Sequence, residues 1–60
     1  MTRKDYIAIA RALNNCMHHH ECDPETVVMV AQELSTVLAN DNPLFDYRRF
    51  IDACTAPRHV

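Results

Sequence analysis

Apolar residues recur at helical spacing in three stretches of this chain. Tyr6, Ile9, Ala10, Leu13, Cys16 and Met17 follow one another at intervals that place them on one face of an α-helix, while Arg3, Lys4, Arg11 and Asn15 fall largely elsewhere. Val27, Val30, Ala31, Leu34, Val37 and Leu38 repeat that pattern, shifted uniformly by twenty-one positions. Phe50, Ala53 and Cys54 begin it a third time, and an aliphatic residue lies beside each stripe at Ile7, Val28 and Ile51. Convergence on a well-capped helix explains the similarity more simply than duplication does.

Each stretch opens with helix-starting chemistry. Thr2 with Asp5 suits a first cap, with Met1 and Tyr6 spaced as a hydrophobic staple. Asp23 precedes Pro24, whose missing N–H is no loss at the first helical position, and Glu25 adds charge that suits a helix start. Cys22 and Val27 staple there, and Asp46 between Phe45 and Phe50 repeats the arrangement. Asn40-Asp41-Asn42-Pro43 is a stop signal: Asn tolerates the left-handed conformation that ends many helices, and Pro43 biases Asn42 away from helical geometry.

The chain is therefore expected to be all-α, with helices near 3–17, 24–39 and 46–55. The polar connection from Met17 to Asp23 is short enough to make the first two antiparallel neighbours. The third helix closes the hairpin into a three-helix bundle, one domain spanning 1–60 with a frayed tail at 56–60. Leu13, Leu34, Phe45 and Phe50 are the expected centre of the core. Each such side chain contributes about 1.5–3 kcal/mol on burial, so few residues carry the fold.

Composition supports this reading. Forty-eight per cent hydrophobic residues and no glycine argue for a folded chain without the tight turns of β-hairpins. Sixty residues hold one small core, so stability should be marginal. A net charge of −2 is contrary to binding driven chiefly by phosphate neutralisation, though a local basic patch can still form. Three cysteines, an odd number behind no charged-then-apolar leader, read as reduced thiols in a cytoplasm. No apolar run approaches the roughly eighteen residues of a membrane span.

Candidate chemistry is sparse. Cys16, His20 and Cys22 could share a zinc ion, with Cys54 or His59 as a distant fourth ligand, but closed sites usually join two separated ligand pairs. The plainer expectation is no metal and no cofactor, with His18 to His20 as a solvated connection beside a helix C-terminus, where three imidazoles would repel once protonated. Cys16 or Cys54 beside a histidine lacks a group to orient the base or hold an oxyanion, so no enzyme is expected. Tyr47, Arg48 and Arg49 could front a nucleic-acid recognition helix, with Arg3, Lys4 and Arg11 on phosphates, yet Asp46 and Asp52 flank the pair. Protein interaction is the favoured expectation, by homodimerisation or with another protein, through Val28, Met29 and Ile51, which lie off the core stripes.

Asp41 to Cys54 resembles the C-terminal end of a group of very small bacteriophage and prophage proteins, particularly those of actinobacteria. The shared elements are Asn42-Pro43, Phe45-Asp46, Arg49-Phe50 and Ala53-Cys54, and the opening Thr2-Arg3-Lys4-Asp5-Tyr6 is also similar; together they cover about a third of the chain. The resemblance implies a phage-derived protein of the bacterial cytoplasm and brings no activity with it. Break, staple, cap and core explain every matched residue except Arg49, whose charge is mildly unfavourable near a helix start. That makes Arg49 a fourth candidate for partner contact.

Overall fold

The computed structural model describes residues 2–57, and over these the chain is an all-α three-helix bundle. α1 spans Arg3–Met17, α2 Pro24–Asp41 and α3 Tyr47–Thr55. The proposed Met1 staple and the end of the tail lie outside the described residues.

Local chemistry sets the helix starts. The Asp5 carboxylate accepts from the Thr2 backbone N–H at 2.8 Å and from the Thr2 hydroxyl at 3.3 Å, closing a capping box on α1. Asp23 accepts from the Glu25 N–H at 3.3 Å and the Thr26 hydroxyl at 2.9 Å, with Pro24 opening α2. Asp46 accepts from the Arg49 N–H at 3.0 Å to start α3.

The end of α2 departs from expectation. The helix runs on to Asp41, and Asn42 is extended at φ −139°. No described residue adopts a positive φ. Pro43 alone enforces the stop, by excluding helical geometry at the residue before it. Asn42 stays useful there: its Oδ1 accepts from the Leu44 N–H at 3.0 Å and its Nδ2 donates to the Tyr6 hydroxyl at 3.3 Å.

These contacts also give the helix directions. Asn42 on Tyr6 sets the end of α2 against the start of α1, so the two are antiparallel. Phe45 meets Tyr6 edge-on at 5.0 Å between ring centroids, while Asn14 donates to the Cys54 and Ala56 carbonyls at 3.1 and 2.8 Å. His18 Nε2–H donates to Ala56 as well, at 2.8 Å. α3 is thus tied at both ends to α1 and runs parallel to it. Of the three pairings α1–α3 is the most extensive and α1–α2 the least.

The core is built from small residues. Ala10, Ala31, Leu38, Phe50 and Cys54 form its buried cluster, with Val27 and Ser35 also buried. The Ser35 hydroxyl donates to the Ala31 carbonyl at 2.8 Å within its own helix, so burial leaves it satisfied. Phe50 is central, as its position predicts, and Phe45 packs on it at 5.4 Å. Leu13, Leu34 and Phe45 prove half-buried instead. Two members of the α2 stripe, Val30 and Val37, are exposed, and so is Cys16. The reason is coverage: α3 has only nine residues and α1 meets α2 least, so the flank of α2 carrying the two valines has no helix over it.

Candidate functional site

Two surfaces stand out. The first is the seam where α1 and α3 run side by side. On α1, Arg3, Ile7, Ala10, Arg11 and Asn14 recur at helical spacing; on α3 and its cap, Asp46, Arg49, Phe50 and Ala53 do the same. Because Ala10 and Ala53 offer little side chain, the helices leave two hollows between them, of about 330 and 260 Å³. The hollows share Ile7, Ala10 and Ala53 and so adjoin along one groove-like seam. Leu44, 89% exposed, stands at its end.

The groove is apolar inside and cationic at its rim. Arg3, Arg11 and Arg49 line it, and none of the three pairs with a carboxylate among the described residues. Asp46 also lines it, but its Oδ1 is engaged as the α3 cap.

The second surface is the outer side of α2. Met29 is 65% and Val37 62% exposed, with Val30 beside them. At about 100° per residue these three fall within roughly 100° of arc, and Glu33 stands between Met29 and Val37.

The sequence-derived partner contacts divide between these surfaces. Met29 lies on the α2 face and Arg49 at the groove, whereas Val28 and Ile51 are half-buried, Ile51 packing against the core cluster. The sequence pattern does not mark Ile7, Leu44 or Ala53 as contacts. Ile7 was visible as an apolar residue beside the α1 stripe, but a groove made by two alanines has no one-dimensional signature.

Of the metal candidates, Cys22 lies close enough to Cys16 for the two thiols to interact, while His20 stacks on His19 at 4.7 Å and lies 3.6 Å from Glu21. No three metal-binding side chains gather among the described residues, and His59 lies outside them. Partial burial pushes the Cys22 thiol up, as do neighbouring Cys16 and Glu21, which disfavours the thiolate that a metal or a nucleophilic reaction needs. Cys54 is buried in the core and its thiol is pushed up by that burial.

Tyr47, Arg48 and Arg49 fan around α3 instead of sharing one face. Arg48 points to Asp52 at 3.8 Å, and Arg49 turns to the groove. No described helix is long and apolar enough to cross a membrane. No family model, curated protein or solved structure matches the chain.

Proposed function

We propose that this chain is a small accessory interaction protein that acts without catalysis, by docking onto another protein or a further copy of itself. The observation that carries this reading is the uncovered apolar face of α2, where Met29, Val30 and Val37 stand exposed on a fold with few apolar residues to spare. Covering that face removes apolar area from water, and association adds stability by mass action to a chain whose own core is small. The likeness of Asp41 to Cys54 to small phage proteins supports a phage-derived origin and a working place in the host cytoplasm. The odd number of cysteines suits that reducing compartment.

The rival reading, nucleic-acid binding through Tyr47, Arg48 and Arg49, is weakened by the pairing of Arg48 with Asp52 and by the overall negative charge. The test is native mass spectrometry of the untagged protein over a range of concentrations, together with affinity capture from bacterial lysate. A concentration-dependent oligomer or a stoichiometric protein complex is expected. A monomer at every concentration that also retains no protein would overturn the proposal.

A further inference from the structure

The two surfaces are complementary to each other. α2 contains Glu25, Glu33 and Asp41 and no lysine or arginine. On its exposed side Glu33 sits between Met29 and Val37, with Asp41 one turn beyond Val37, and neither acid pairs with a cation among the described residues. The α1–α3 groove has the opposite character, an apolar floor rimmed by Arg3, Arg11 and Arg49, with Asp46, engaged as the α3 cap, the single acid in its lining.

We infer that the groove between α1 and α3 receives the α2 face of a second copy of this chain. Met29 and Val37 then seat along the floor over Ala10 and Ala53, and Glu33 meets the arginine rim.

Size and length agree with this occupant. Hollows of about 330 and 260 Å³ lie at and just below the bottom of the range for small-molecule pockets, which suits single side-chain anchors better than a bulky ligand. Met29 and Val37 are eight residues apart, about 12 Å along a helix, and α3, which forms one wall, is about 13 Å long. An amphipathic helix laid in a groove and anchored at helical spacing is a common recognition mode. A small molecule would leave the α2 face uncovered. A nucleic acid would meet the arginines but not the apolar floor.

Because the surface offered differs from the surface received, the contact is heterologous and copies add head to tail. This inference rests on the interaction reading above but commits it to one geometry, and the two fail separately.

The experiment uses two variants, each altered at an exposed position so that the fold is kept, which circular dichroism verifies. Val37→Glu spoils the α2 face and leaves the groove intact. Ala53→Leu fills the groove and leaves the α2 face intact. Sedimentation should show self-association weakened roughly tenfold or more in each variant alone. An equimolar mixture of the two should restore one interface and stop at a heterodimer. In a separate pair, Arg49→Glu should weaken association and adding Glu33→Arg should recover part of it. The inference is overturned if Ala53→Leu associates like the parent, if the mixture gives no heterodimer, or if the parent does not self-associate. It is equally overturned if an oligothymidine strand binds the groove in preference to a second copy. Capture of a different protein by a non-associating parent would sink this geometry and leave the interaction reading standing.

Discussion

α2 and α3 make an instructive pair. α2 is twice as long and is the most apolar of the three helices, yet it leaves Met29, Val30 and Val37 in solvent. α3 has nine residues and more polar ones in proportion, yet it buries Phe50 and Cys54 and holds the bundle together from both ends. What differs is segregation. α3 gathers Phe50, Ile51 and Cys54 on one face, which α1 and the inner side of α2 can cover, and leaves only Tyr47 and the small Ala53 of its apolar residues exposed. α2 spreads valines over more of its circumference than two short neighbours can reach. Apolar content alone therefore says little about burial; the arc it occupies and the length of the opposing helices decide.

The largest test of this contrast lies in α3. Phe50→Ala should cost about 3–5 kcal/mol in chemical denaturation, enough to unfold much of so small a domain, because it removes the largest side chain in the buried cluster. An unchanged denaturation midpoint would break the comparison at its root. Within α2, neighbouring positions should separate sharply. Leu38→Ala should cost about 2–5 kcal/mol, while Val37→Ala, measured at dilution where association is minimal, should change stability by about 0.5 kcal/mol or less. Equal losses would mean that Val37 is covered after all.

Smaller effects sharpen the account of α3. Asp46→Ala should cost about 1 kcal/mol by removing the cap on Arg49, and should reduce helical content by circular dichroism. The smallest effect concerns pH. Burial pushes the Cys54 thiol above its ordinary 9.0, so the folded state favours the neutral form. With the folded value above the unfolded one, this contribution is complete below 9.0 and is lost as pH rises through the folded value. Denaturation midpoints should therefore fall in alkali, and Cys54→Ala should flatten that part of the slope.

Helix number, type and starts were readable in one dimension because each depends on a few adjacent residues. Thr2 with Asp5, Asp23 with Pro24, and Asp46 between two phenylalanines each act within a turn, and α1 matches its expected bounds. For α2 the sequence points to the right proline but to an end two residues early, since the tolerance of Asn for left-handed geometry goes unused. Core membership was harder. Periodicity places Val30, Val37 and Cys16 on apolar faces, but burial requires something to lie over those faces, and that depends on how long and how close the other helices are.

The candidate site divides along the same line. Met29 was recognisable from its position opposite the core stripe of α2, and Arg49 from its charge near a helix start. The groove was not, because Ala10 and Ala53 are separated by more than forty positions and line one cavity only when α3 packs parallel to α1. Local hydrogen bonding and helical periodicity act over a few residues and can be read directly from the order of the chain. The groove, the uncovered flank of α2 and their complementary charges come from the relative placement of whole helices, which depends on the fit of all three surfaces at once.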